Sequence, residues 1–564
     1  LTLNDDTIVR VWDTGADLGR ISAVAINSLV GANMSLTKIG NRTLELAGDN
    51  TSTFTGGSIT VSQGTLRVRD NGALGASTTT TIERNSALEI AVSNFTPSGG
   101  STINQIPGSV ERWNVEDARG TNYNLPAGVN LQLDTNLISG TPRTIGLNGG
   151  SVEGFLYTDH VAPADERTIG SAVTLNLLAD SYVGQNILQG QGYDTGRGPT
   201  VGQPFGDNIT GAILRIEGQI TGARNLTKTG LDTVVLANSS NSYGNTVVEM
   251  GTLRIGALNA LPTSGTLTTR TGGTFDLYGN DQTVAGLGTV DGGPNPGGTG
   301  LGSAGRLINS APVDNTLTVN NTANYTYNGT IERNVALTKS GSGTLTLTAA
   351  NTYAGPTTIS GGNLVLTGSI SGTPSIDVQA GAGFNVSGVP GGFTLLAKQT
   401  LKGGGTVTGT VDIDGAVSPT AGSSALAITG NADFDPGATF ALALNSASSY
   451  GQLSAAGVSL DGTVTLTLAL NYTPAPFTSF TIVNNTGVTP VGGTTGLLTW
   501  GGPEGVLSEG EIFLVGAQEF SITYAGGSGG NDIILTTIPE PGSITALCAG
   551  LGVLCGLRRI RRRR

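Results

Sequence analysis

Leu337-Thr338-Lys339-Ser340-Gly341 leads into Gly343-Thr344-Leu345-Thr346-Leu347, Asn351-Thr352-Tyr353-Ala354-Gly355, Thr357-Thr358-Ile359 and Gly362-Asn363-Leu364-Val365-Leu366. Within each short run every second residue is apolar, the period of a strand with one face turned inward. Gly and Asn stand at the breaks, where they permit the positive φ of a tight turn. No helical spacing interrupts the pattern.

Working outward, the same order occurs twice more. Leu36-Thr37-Lys38-Ile39-Gly40 is followed by Thr43-Leu44-Glu45-Leu46, Asn50, Phe54, Ile59-Thr60-Val61 and Gly64-Thr65-Leu66-Arg67-Val68. Leu226-Thr227-Lys228-Thr229-Gly230 is followed by Thr233-Val234-Val235-Leu236, Asn241, Tyr243-Gly244, Thr246-Val247-Val248 and Gly251-Thr252-Leu253-Arg254-Ile255. The likeness runs on into Ala87-Leu88-Glu89-Ile90, Thr274-Phe275-Asp276-Leu277 and Gly383-Phe384-Asn385-Val386, so the copies occupy about 36–90, 226–277 and 337–386. One such unit cannot bury its own apolar face, whereas stacked units can. The expected fold is all-β, a parallel β-helix or β-solenoid over about 1–400. A row of separate β-sandwiches is the alternative.

Lysine after Leu-Thr, the central Asn with Tyr-x-Gly and the closing Gly-Thr-Leu make the set similar to the autotransporter-associated β-strand repeat. That resemblance implies a module of long, exported passenger proteins. Nothing in the sequence resembles the membrane β-barrel that ends a true autotransporter, which puts self-secretion by that route in doubt.

Composition agrees with many short strands. Gly 89 is more than twice ordinary usage and charged residues, at 12%, are about half of it. The formal charge is −12, but without the six arginines after Leu557 there remain 22 basic against 40 acidic residues, a body of −18. Such a body repels nucleic acid and anionic membrane, so no nucleic-acid partner is expected. Cys548 and Cys555 are the only cysteines, so the body before them folds without disulfides. Leu1 is not an initiator methionine and no signal peptide precedes it, which reads as a fragment or processed form.

The texture changes between the first two copies. Over about 99–218, Trp113, Glu116, Asp117, Tyr157, Asp159, His160, Asp165, Glu166 and Arg167 gather with longer loops, where an insertion or binding face would sit. Residues 286–305 read as a glycine-proline-rich loop between rungs. From about 401 to 537 longer strands such as Phe440–Leu444, Val464–Leu468 and Phe520–Tyr524 suggest a terminal β region covering the solenoid's open edges.

Catalytic chemistry is sparse. The single histidine, His160, lacks a Gly-x-Ser-x-Gly elbow, and no Cys or His cluster has zinc spacing. Gly300, Gly302 and Gly305 match a dinucleotide fingerprint without its strand and helix. Residues 527–534 approach a calcium nonapeptide in a single copy, and a glycine turn between strands is the simpler reading. No cofactor or metal is expected. The alternative enzyme reading is a β-helix polysaccharide lyase or hydrolase using Asp159, Asp165 and Glu166.

The last residues, 538–564, form a separate instruction. Pro539-Glu540-Pro541 precedes an uncharged, mostly apolar run from Gly542 through Leu547 and Leu551 to Leu557, and Arg558, Arg559, Arg561, Arg562, Arg563 and Arg564 close the chain. Sixteen helical residues cover roughly 24 Å, short of a ~30 Å hydrocarbon core, and arginine snorkelling makes up part of the deficit. One-sided positive charge orients this short transmembrane helix with its arginines in the cytoplasm. The order resembles the PEP-CTERM sorting signal of Gram-negative bacteria. That resemblance implies recognition of Pro539-Glu540-Pro541 by the membrane protease exosortase, with an inner-membrane-tethered precursor and then a place at the cell surface or in the extracellular matrix. The function expected from sequence is therefore a non-catalytic surface or matrix protein, structural and adhesive, with exopolysaccharide as its expected contact.

Overall fold

A computed structural model describes residues 1–11, 23–133, 135–138, 140–154, 166–184, 213–289, 305–422, 424–491, 497–502 and 504–539. Among these there is no helix, and almost every strand pairs in parallel with the strand one rung away. The chain is a parallel β-solenoid, not a row of sandwiches. It divides into two compact units, Leu1–Thr318 with Asn328–Val335, and Val319–Tyr327 with Ala336–Arg564.

The first unit carries sheets of five, twelve, four and seven strands. Its core is built of in-register ladders. Leu44, Leu66 and Leu88 occupy one position on three successive strands, and each is fully buried. The alternation read from the sequence places these residues inward and their neighbours outward, as in the intermediate–buried alternation of Ser58–Val61. Stacking buries apolar surface at about 25 cal/mol per Å², which no isolated rung could achieve.

In the second unit the strands Thr344–Leu347, Asn363–Leu366, Gly383–Asn385 and Thr406–Thr408 stack in parallel. The strands then lengthen, reaching nine residues at Leu426–Phe434. Ser479–Asn485 is parallel to Leu453–Leu460 on one side and antiparallel to Asp532–Ile538 on the other. An antiparallel meander of Asp532–Ile538, Gln518–Gly526 and Ile512–Val515 then ends the sheet. Phe480, Phe520 and Phe513 form an aromatic row beneath it, at 6.3 and 6.0 Å between centroids.

Two sequence expectations change. Trp113 is not on an exposed face: Val110–Trp113 is a strand of the twelve-stranded sheet and Trp113 is buried. The stretch expected to be loop from 286 begins with a strand, Gly286–Thr289, paired to Thr266–Thr269. Residues 527–531 form the glycine turn joining two antiparallel strands.

Candidate functional site

The repeat lysines lie inside. Lys38, Lys228 and Lys339 are each fully buried, and each ammonium is held by carbonyl oxygens of its own turn and of the next rung. Lys38 Nζ donates to Gly40 O at 2.5 Å, Gln63 O at 2.9 Å and Ile39 O at 3.3 Å. Lys339 Nζ donates to Ser340 O at 2.6 Å and to Gly341 O and Gly361 O at 3.0 Å. Lys228 Nζ donates to Thr229 O, Gly230 O and Met250 O and also pairs with Asp232 at 2.9 Å. Burial pulls Lys38 and Lys339 down to about 8, while burial lowers Lys228 against the opposing pull of Asp232. The lysine is a clip between rungs.

The clip needs its glycine. Gly64, Gly251 and Gly362, which open the closing Gly-Thr-Leu or Gly-Asn-Leu run, have φ of 72°, 64° and 59°. A Cβ there would run into carbonyl oxygens of the clipped turn. Only glycine suits both the dihedral and the close approach.

The repeat asparagine is a second staple. Asn50 accepts from Leu29 N at 2.7 Å and donates to Ala73 O at 2.8 Å, so one side chain ties three rungs. Asn241 repeats this with Ile220 N and Ala260 O. Asn351 donates to Ser369 O at 3.2 Å. The buried aromatic varies with its neighbour. Tyr243 and Tyr353 bond Thr246 and Thr357, whereas the first copy has Phe54 with Ile59 at the threonine position.

An outward ladder position also recurs. Arg67 faces Glu89, Arg254 faces Asp276 and Val365 faces Asn385 in the three copies. The first pair belongs to a chain of ions: Arg67 reaches Glu45 at 3.2 Å and Glu89 at 2.8 Å, and Arg112 lies 3.6 Å from Glu89. Glu111 instead occupies the inward leucine position. Its carboxylate accepts from Arg119 at 2.9 Å twice, from Trp113 Nε1 at 2.8 Å and from Tyr123 Oη at 2.9 Å. Burial first, then the Glu111 charge, pushes the Tyr123 hydroxyl well above its ordinary value.

Four strands of the five-stranded sheet carry uncharged outward rows. Ser35, Ser58, Thr79 and Thr102 form one row and Thr37, Thr60, Thr81 and Asn104 the next, all outside the core. Rows repeat at about 4.8 Å along the stack. Among the described residues no group of three His, Cys, Asp or Glu side chains could hold a metal ion.

Of the sequence-selected acidic set Asp159, Asp165 and Glu166, only Glu166 lies among the described residues. Glu166 sits on Glu166–Ile169, 3.8 Å from Arg215, and Asp159, His160 and Asp165 lie outside the described residues. Pro539 follows the last strand and is buried. Glu540, Pro541, the apolar run containing Gly542, Leu547, Leu551 and Leu557, and the terminal arginines also lie outside them. Among the described residues no helix is long and apolar enough to cross a membrane.

The clipped rungs match a known repeat family. Residues 36–68, 226–255 and 337–366 match the passenger-associated-transport-repeat family. A 194-residue stretch, 34% of this chain, is 35% identical to the adhesin BmaC autotransporter of Brucella suis biovar 1 (strain 1330). The match spans 5% of that protein's length.

Proposed function

We propose that this chain is an exported surface protein of a Gram-negative bacterium that acts by adhesion, without catalysis. The observation that carries the reading is where the recurrent residues go. Lysine, glycine and asparagine of every copy are used between rungs, so the repeat specifies a scaffold and leaves its outward positions to contact other molecules. The similarity of three segments to a passenger repeat, and of a third of the chain to an adhesin, supports the same reading.

The contact chemistry suggested by the five-stranded face is that of a polysaccharide. Two uncharged rows of hydroxyls, ending in Asn104, offer repeated weak hydrogen bonds and little electrostatic selectivity. Many such contacts in parallel give avidity without a deep pocket.

The tail is proposed to be a sorting label read by an exosortase-type protease at Pro539-Glu540-Pro541. The inner membrane would hold the precursor through the apolar run until that cut, and exopolysaccharide or the cell surface would receive the body. Mass spectrometry of the surface-exposed form tests this directly. Loss of peptides C-terminal to Pro541 is expected, and a mature form retaining Arg561 to Arg564 would refute processing.

A further inference from the structure

The second repeat differs from the first at its outward ion pair. Arg67 of the first copy is enclosed between Glu45 and Glu89. At the equivalent place, Arg254 gives only Nε to Asp276, at 3.1 Å, and its side chain is 24% exposed. Among the described residues its two terminal nitrogens have no hydrogen-bond partner.

Against that guanidinium lies Tyr278. The Arg254 Cζ stands 4.1 Å from the ring centroid, and the tyrosine is nevertheless 49% exposed. One face of the ring is thus taken by the cation, while about half of the residue's surface stays open to solvent. Tyr278 also has φ of 46°, a left-handed conformation that a bulky side chain rarely adopts.

The surroundings enforce that conformation. Asp276, almost fully buried, accepts from Tyr278 N at 3.0 Å and from Ser310 N and Oγ at 2.9 and 2.7 Å. Gly279 N donates to Asn309 Oδ1 at 3.1 Å, and Asn280 Nδ2 to Ile255 O at 3.2 Å. In the third copy the ladder pair becomes Val365 and Asn385, and the residue at the tyrosine position is Ser387, bonded back to Asn385. That loop needs no aromatic ring. An exposed ring held in a strained, over-determined conformation beside a guanidinium with free donors is a preorganised binding element.

We propose that Tyr278 and Arg254 form a subsite for a uronate, a sugar ring bearing a carboxylate, within the polysaccharide bound by this surface. The proposal rests on the adhesive reading above and names a ligand class for one place on it. The pyranose ring would lie on the solvent-open part of Tyr278. Its carboxylate would accept from the two terminal nitrogens of Arg254, the planar fork suited to that group. Asp276 engages the guanidinium only through Nε, so the anion meets the terminal nitrogens directly, and salt that screens this contact should weaken binding.

The test is calorimetric titration of the full chain with tetragalacturonate, with cellotetraose as the uncharged control. Saturable binding of the uronate and none of the neutral sugar is expected. Tyr278→Gly removes the ring and relieves the dihedral, so it should weaken binding by about tenfold or more without lowering the melting temperature. Arg254→Lys keeps the charge but loses the fork and should also weaken binding by about tenfold. Tyr278→Phe should bind within about twofold of the natural chain. Failure to bind tetragalacturonate, equal binding of cellotetraose, or unchanged binding in both Tyr278→Gly and Arg254→Lys would overturn the site. If the full chain still adheres to polysaccharide-coated surfaces in that event, the adhesive reading stands and only this subsite falls.

Discussion

Tyr243 Oη lies 3.0 Å from Thr246 Oγ1 inside the second repeat, and both side chains are shut off from water. The first repeat places Phe54 and Ile59 in the corresponding positions, both fully buried. A buried hydroxyl without a partner costs about 1–3 kcal/mol, so the two positions must change together. Tyr243→Phe alone and Thr246→Val alone should each destabilise by about 1–2 kcal/mol. The double variant should cost less than their sum by about 1 kcal/mol, and a chemical-denaturation cycle measures that coupling. Additive losses would mean the hydroxyls do not depend on each other.

Lys339 is the only charged residue between Arg333 and Asp377, and its ammonium meets carbonyl oxygens of its own turn and the next rung. Replacing it with methionine keeps much of the volume and leaves those carbonyls without their donor. Lys339→Met should cost about 2–4 kcal/mol. Hydrogen exchange should reveal the loss first in amides of 340–347 and 357–366.

The glycine that closes over the clip is expected to be as sensitive. Gly362→Ala introduces a Cβ at positive φ against the carbonyl of Gly343. A loss of about 2 kcal/mol or more is expected, against the gain of a few tenths that alanine gives at permissive glycines. Gly381, with φ of 82° and open space around its Cβ position, serves as the strain-only control.

Alkaline pH has two opposing effects. Burial holds Lys38 and Lys339 near 8, whereas an unfolded lysine keeps its proton to about 10.4. Between those values the unfolded chain binds more protons, so these residues make the fold more stable as pH rises. Burial raises Tyr243 and Tyr353, so above about 10 the unfolded tyrosines ionise first and stability falls. Thermal melting should therefore improve from pH 8 towards 10 and decline beyond it. In Lys339→Met the first, rising part should shrink.

Much of the scaffold was legible in the chain. Lys38, Lys228 and Lys339 stand two residues after Leu36, Leu226 and Leu337, in the inward phase of the alternation, and inward they go. Their buried role was readable from phase, although a charged residue on an apolar face first suggests solvent. Trp113 was harder because Glu111, also inward, interrupts the apolar ladder and makes a rung look like an insertion. Only the packing of Arg119 and Tyr123 around that carboxylate explains why it is tolerated. Tyr278 was not legible: its importance lies in a backbone dihedral and in the guanidinium stacked on it, neither of which has a periodic signature.

The central claim is adhesion without turnover, and one measurement addresses both halves. The purified full chain is passed over immobilised polysaccharides, acidic and neutral, while the released sugar is sized by chromatography. Retention of the protein with unchanged polysaccharide length is the expected result. Shortening of any polysaccharide, or no retention on any of them, would contradict it.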